Sequence, residues 1–102
     1  MAKVAKKSLC YTEKEAQKHL KALPLWKPNA KYTEISRSIA TPNFVSGLAY
    51  IAKVTVFAEI MEHHPDVELT YGKVKISLST HDAKGLTKKD IDLAKRIDSL
   101  KV

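Results

Sequence analysis

Three of the four histidines lie in two short stretches of the chain, and imidazole is the side chain that exchanges protons most readily near neutral pH. His63 and His64 are adjacent in EIMEHHPDVELTY, and His81 follows a strand-like stretch in STHDAKGL. Glu59 lies four residues before His63, so on a helix the two side chains share a face and can hydrogen-bond. If the strand that ends near His81 packs beside the helix that carries His63, the three imidazoles form one site suited to general acid–base catalysis.

Other chemistries fit the same residues less well. Three histidines can bind zinc, but adjacent histidines rarely direct both rings at one ion, unlike an i, i+4 pair on a helix. No nucleophile stands out, because Cys10 is remote in sequence, and Ser77 and Ser79 belong to an alternating strand pattern. Acid–base chemistry is therefore favoured, and no metal ion is expected.

Capping patterns predict two short helices that would help to position these groups. Thr12 followed by Glu15 predicts a first helix over residues 12–22. Thr87 followed three residues later by Asp90 predicts the start of the last helix, where apolar residues recur at steps of three and four. Asp90 can therefore cap this helix, join the site, or do both.

The central helix is predicted to be long and apolar on more than one side. Thr41 as N-cap and Pro42 in the first turn mark its start, and it should span residues 42–63 before Pro65 ends it. Polar and charged residues interrupt its apolar run, so an amphipathic helix is favoured over a membrane span. A helix that is apolar over a wide arc packs on two sides. The chain is therefore expected to form a dimer or tetramer through this helix or through a sheet edge.

Alternation with a period of two predicts the strands. Residues 25–27 and 32–40 are predicted to form two strands joined by a tight connection. Apolar and polar residues also alternate from Val67 to Thr80 around a turn at residues 71–73, which predicts a hairpin. The predicted order is α-β-β-α-β-β-α. It indicates an α+β fold in which an antiparallel sheet is covered by helices on one face.

Size and composition indicate one soluble domain over residues 1–102, since a chain of 102 residues is too short to divide into two cores. The N-terminus lacks the apolar segment of a secretory signal and Cys10 is the only cysteine, so a cytoplasmic location is expected. The first ten residues are basic and expected to be flexible. The net charge of +7 could attract nucleic acid, but no basic strand is flanked by aromatic residues, so neither nucleic acid nor a membrane is the expected partner.

One spacing pattern resembles that of a known family. Gaps of three, five, nine and eight residues separate Glu59, His63-His64-Pro65, Tyr71, His81 and Asp90. This spacing is similar to the signature of the pterin-4a-carbinolamine dehydratases, and the resemblance covers about residues 12–100. It implies a four-stranded antiparallel sheet with three helices and no metal or organic cofactor. It also implies an activity, the removal of water from 4a-hydroxytetrahydropterin to give quinonoid dihydropterin, which recycles the cofactor of aromatic amino acid hydroxylases.

The same resemblance implies roles for individual residues. His63 and His81 would transfer protons, and His64 would bind and orient the pterin. Glu59 would hold His63 in its useful tautomer, while Asp90 would support the site from the last helix. The implied substrate-binding residues are His64, Pro65, Tyr71, Ser79 and Thr80.

Two further expectations follow from the resemblance. Relatives usually carry an aromatic residue two positions after the proline, where this chain has Val67, so a stacking surface for the pterin would be absent there. Animal relatives also bind a homeodomain transcription factor and stabilise its dimer. A non-catalytic interaction module is therefore the alternative function.

Overall fold

The computed structural model describes residues 9–102, which form three α-helices, four β-strands and one short 3₁₀-helix. In chain order the elements are α1 (Glu13–Leu20), β1 (Lys27–Pro28), β2 (Ile35–Ala40), α2 (Phe44–Met61), β3 (Asp66–Thr70), β4 (Lys73–Leu78), the 3₁₀-helix (His81–Ala83) and α3 (Lys88–Asp98). This order confirms the predicted α+β fold. Most of the N-terminal segment that we predict to be flexible lies outside the described residues.

The four strands form one antiparallel sheet in the order β1-β2-β4-β3, which places β4 in its centre. Along β4 the apolar residues Val74, Ile76 and Leu78 are buried, while Lys75 and Ser77 between them point to the other face. The β3–β4 hairpin has the predicted two-residue periodicity and turns after Thr70. One face of the sheet therefore packs on the helices, and the other remains polar.

The first pair of strands is shorter than predicted. β1 contains two residues, and β2 begins at Ile35 instead of residue 32. The cause is Asn29, whose Oδ1 accepts hydrogen bonds from the backbone N–H groups of Thr33 at 2.8 Å and Glu34 at 3.2 Å. Tyr32 adopts a left-handed conformation with φ 57° inside this loop. Amides held by the asparagine side chain cannot join the sheet, so the connection is longer and the strands are shorter.

The predicted cap of the long helix is wrong by two residues. The N-cap of α2 is Asn43, whose Oδ1 accepts from the Ser46 N–H at 2.8 Å. Thr41 is buried, and its N–H donates to the Gly72 carbonyl in the hairpin turn at 3.0 Å. Thr41 thus still belongs to the sheet side of the connection, and an asparagine cap satisfies the free helical amides as well as a threonine would. The short helices do begin at the predicted capping boxes, with N-caps at Thr12 and Thr87.

Helix α2 packs across the sheet through one stripe, which consists of Gly47, Tyr50, Val54 and Ala58. The absence of a side chain at Gly47 allows close approach, because a Cβ there would lie 2.6 Å from Leu69 Cδ1. Of the described helices, α2 alone has the length and mean hydropathy to cross a membrane. Its buried stripe contacts the sheet as the core helix of a globular domain does.

Helix α3 completes the core and is fixed at both ends. Ile91, Leu93, Ala94 and Ile97 are buried in the main cluster. At its C-terminal end, Asp98 Oδ1 accepts from Trp26 Nε1 at 2.8 Å and forms an ion pair with Arg37 at 2.6 Å. These contacts connect the helix to the start of the sheet. The packing places the N-terminal end of α3 beside the C-terminal end of α2, where the histidine pair lies.

Candidate active site

The end of helix α2 directs its two histidines in different directions. Glu62 adopts a left-handed conformation with φ 52° and ψ 43° directly after the last helical residue. The Glu62 N–H donates to the Glu59 carbonyl at 3.2 Å and the His63 N–H to the Ala58 carbonyl at 3.0 Å, which is the Schellman pattern of a helix end. After this turn the His63 side chain is 9% exposed, whereas that of His64 is 63% exposed.

The buried imidazole is held by a buried carboxylate. His63 Nε2 lies 2.6 Å from Oδ1 of Asp90, which is fully buried at the start of α3. An ionised carboxylate can only accept hydrogen bonds, so the geometry assigns the proton to Nε2 of His63. Nδ1 is then the ring nitrogen that can exchange a proton with a ligand.

Asp90 combines this contact with helix capping, so both predicted roles are present. Its Oδ2 accepts from the Thr87 N–H at 2.9 Å and from Thr80 Oγ1 at 2.8 Å. Thr80 Oγ1 also lies 2.7 Å from Thr87 Oγ1. The single hydroxyl proton of Thr80 goes to Asp90, so the Thr87 hydroxyl must donate to Thr80. The carboxylate thus has a partner on each oxygen, and its orientation is fixed.

The predicted contact between Glu59 and His63 is wrong. Glu59 Oε2 instead lies 2.7 Å from Nε2 of His64, in a pair that is exposed on both sides. The physical reason is the left-handed conformation of Glu62, which ends the helix before His63 and removes it from the face that Glu59 occupies. Asp90, and not Glu59 as we expected, therefore occupies the position that fixes the tautomer of the His63 ring.

The loop after β4 brings the third histidine to the same place. Thr80 and Gly85 exchange backbone hydrogen bonds of 2.9 and 3.3 Å, which close a loop over the 3₁₀-helix that begins with His81. His63, His64 and His81 line one cavity of about 200 Å³. The predicted convergence of three imidazoles is therefore present in the fold.

Other residues of the cavity were partly predicted. Ser79 and Thr80 line it, although the Ser79 hydroxyl donates to the Thr33 carbonyl at 2.8 Å. The prediction missed Glu62, Asp82 and Lys89, which also line the cavity. Each is the direct neighbour of a predicted site residue in the sequence, so the signal for them was present.

Two predicted substrate-binding residues lie elsewhere. Tyr71 is exposed in the β3–β4 turn, at the far end of a five-residue strand and thus about 16 Å from the histidine end. The fold does not bring Tyr71 to the cavity of its own chain. Pro65 is half-buried in the connection to β3, outside the cavity wall. Val67 also lies outside it, because its side chain packs against the core.

A second cavity, between α2 and α3, is larger at about 460 Å³. It is lined by Met61, Asp92, Lys95, Arg96 and Ser99 and contains no histidine. Within residues 9–102, no three His, Cys, Asp or Glu side chains are arranged to hold a metal ion. The smaller cavity therefore has the better groups for proton transfer.

Comparison with known proteins shows the family to which the chain is similar. Residues 10–100 match the family model described as pterin 4 alpha carbinolamine dehydratase. A protein of Acidobacterium capsulatum, provisionally named a pterin-4-alpha-carbinolamine dehydratase, is 43% identical over 87% of this chain and 95% of its own length. A relative from Roseiflexus castenholzii with the same provisional name is 48% identical over 66% of this chain and 72% of its own length.

Solved structures show the same fold. The crystal structure of a Brucella melitensis protein, described as a transcriptional coactivator/pterin dehydratase, aligns with a TM-score of 0.82 at 30% identity, over 88% of this chain and 96% of that protein. A pterin dehydratase-like RuBisCO assembly factor of the alpha-carboxysome aligns with a TM-score of 0.61 at 17% identity, over 72% of this chain and 86% of that one, and shares the fold. From the family match and the extent of these relatives, the chain belongs to the pterin 4 alpha carbinolamine dehydratase family.

Proposed function

We propose that this protein dehydrates 4a-hydroxytetrahydropterin to quinonoid dihydropterin by histidine acid–base catalysis. The observation that carries the proposal is the contact of 2.6 Å between His63 and the buried Asp90, in a cavity that His64 and His81 also line. Family membership supplies the reaction, and the imidazoles supply the groups that it needs. The step would serve the recycling of a tetrahydropterin cofactor.

The reaction requires two proton transfers and no change of oxidation state. The 4a-hydroxyl leaves as water after it gains a proton, and the adjacent ring nitrogen N5 loses one. His63 accepts the N5 proton on Nδ1, because Asp90 stabilises the imidazolium that forms. His81, an exposed residue of the cavity wall, donates the proton to the leaving hydroxyl. The protons balance, and one water is released.

His64 has a different part in this proposal. Its Nε2 is already paired with Glu59 at 2.7 Å, so its ring orientation is set from outside the cavity. An imidazole held in this way can orient the pterin without transferring a proton.

A stopped-flow assay with synthetic 4a-hydroxytetrahydropterin tests the proposed activity. We expect micromolar enzyme to accelerate the loss of the carbinolamine absorbance well above the uncatalysed rate. Heat-denatured protein serves as the control. An uncatalysed rate with the folded protein would contradict the proposal and favour the alternative, a non-catalytic interaction module.

The surface of α2 supports a further part of the proposal, a homo-oligomer. Large apolar side chains are exposed along this helix, with Val45 75%, Leu48 56%, Val56 56% and Ile60 67% accessible. Successive residues of a helix are rotated by about 100° around its axis. The stripe from Val45 to Val56 therefore lies opposite the stripe that packs on the sheet. An exposed apolar stripe of this length usually marks a protein interface. A second copy would bury it by helix packing.

The oligomer can be tested by light scattering coupled to size-exclusion chromatography. We expect wild-type protein to elute as a dimer or tetramer and the double variant Leu48→Glu/Val56→Glu to shift toward monomer, because buried unpaired carboxylates are costly. Ala22→Glu, on the exposed surface after α1, should leave the mass unchanged. A monomeric wild-type protein would exclude the oligomer. An unchanged mass of the double variant would exclude the α2 interface. The sheet edge at β3 would then be the remaining candidate interface.

A further inference from the structure

Lys89 occupies a position that local electrostatics disfavours. It lies in the first turn of α3, where the partial positive charge of the helix N-terminus repels cations. Its neighbour Lys88 is compensated, because its Nζ lies 2.7 Å from Asp92 one turn later, and this hydrogen bond raises the pKa of Lys88. The residue one turn after Lys89 is Leu93, which is buried and has no charge to pair with the ammonium. Among the described residues, no carboxylate forms an ion pair with Lys89.

Lys89 instead lines the histidine cavity. Among the described residues of the cavity wall it is the one permanent cation, and the same wall contains the carboxylates of Glu62 and Asp82. With neutral imidazoles the wall therefore carries one net negative charge, which disfavours an anionic ligand. Two carboxylates and one ammonium together suit a neutral ligand. Such a ligand donates hydrogen bonds to the carboxylates and offers an oxygen acceptor to the ammonium.

The size of the cavity limits which part of a ligand can reach this group. Sites for complete small-molecule ligands usually begin at about 300 Å³. A cavity of about 200 Å³ therefore holds a reacting ring and leaves a ring substituent in solvent. Lys89 is also adjacent in the chain to Asp90, which holds the proposed base His63. The backbone of Lys89 is thus fixed next to the residue that holds the proposed base.

On the basis of the pterin dehydration proposed above, we propose that Lys89 is a specificity residue that donates a hydrogen bond to the ring carbonyl oxygen at C4 of the substrate. C4 is bonded directly to C4a, the carbon that loses the hydroxyl, so an acceptor at C4 lies next to the atoms on which His63 acts. The contact selects 4-oxo pterins over ring systems that carry an amino group at this position. It contributes to binding and orientation and transfers no proton.

This assignment is tested by comparing the binding of two ligands to the wild-type protein and to one variant. The binding of 7,8-dihydropterin, which has the 4-oxo group, and of 2,4-diamino-7,8-dihydropteridine, which has a 4-amino group, is measured by titration with wild-type protein and Lys89→Met. We expect Lys89→Met to weaken binding of the 4-oxo ligand about tenfold, as for a hydrogen bond to a charged donor. Binding of the 4-amino ligand should change by less than about twofold, since an amino group cannot accept this bond. Lys89→Arg, which keeps the cationic donor, should retain the preference.

Lys88→Met is the matched control, because it removes the same charge from the same helical turn outside the cavity. Equal weakening of both ligands by Lys89→Met would overturn the assignment, and so would an equal effect of Lys88→Met. If wild-type protein dehydrates the carbinolamine and Lys89→Met binds the 4-oxo ligand normally, this inference fails and the proposed function stands. If wild-type protein neither binds the 4-oxo ligand nor catalyses dehydration, both fail.

Discussion

Replacing His63 with alanine is expected to slow carbinolamine dehydration by about 10²-fold or more, the usual contribution of a positioned proton-transfer group. His81→Ala should have an effect of the same order, because the proposed mechanism needs a base and an acid. Both are measured by stopped-flow absorbance under single-turnover conditions.

His19→Ala provides the control for these variants. His19 stacks on Tyr11 with ring centroids 4.5 Å apart, and it does not line the cavity. It should therefore retain nearly wild-type turnover. Near-normal turnover of both His63→Ala and His81→Ala, with circular dichroism showing an intact fold, would contradict the assignment of proton transfer to these two residues.

Replacing Asp90 with asparagine is expected to reduce both activity and stability. The asparagine side chain has the same shape, but an NH₂ donor replaces one of the two acceptor oxygens. It therefore cannot accept hydrogen bonds both from His63 and from Thr80 and Thr87. One buried contact must be lost. We expect the free energy of unfolding to fall by about 2–3 kcal/mol, as for a buried hydrogen bond to a charged group. Dehydration should slow by about 10²-fold, because His63 loses its fixed tautomer.

Two measurements separate these effects of Asp90→Asn. Urea unfolding gives the change in stability, and nitrogen NMR of the His63 ring shows whether the proton remains on Nε2. Asp92→Asn is the matched control, because Asp92 pairs with the highly exposed Lys88 on the same helix. Exposed pairs contribute little, so its stability should change by less than about 1 kcal/mol. An Asp90→Asn variant with wild-type stability and turnover would contradict the coupling of this carboxylate to His63.

Much of the fold could be predicted because its signals are local. The capping box at Thr12, the box formed by Thr87 and Asp90, and the alternation along β4 each depend on residues within a few positions of one another. The cap of α2 was predicted at Thr41 because threonine before proline is a common helix start. Asn43 has the same capping chemistry two residues later, and only the contact of Thr41 with the hairpin turn decides between them.

The candidate site was predicted less completely, because its contacts are not local. His63 and Asp90 are 27 residues apart, so no spacing rule gives the contact of 2.6 Å between them. The pairing of Glu59 was predicted from helical geometry, but the helix ends at Met61, two residues before His63. Glu62 is left-handed without being a glycine, so the sequence contains no marker of the turn. The assignment of Tyr71 to the site followed from the family signature alone, which gives order in the chain and no distance.

The shared use of Asp90 limits how this protein can be redesigned. A change that strengthens the cap of α3 would also alter the environment of the His63 ring, and a change that tunes the ring would alter the cap. Fraying of the first turn of α3 would release the imidazole while the core remains folded, since Ile91, Leu93 and Ile97 pack further along the helix. Thermal inactivation would then precede thermal denaturation.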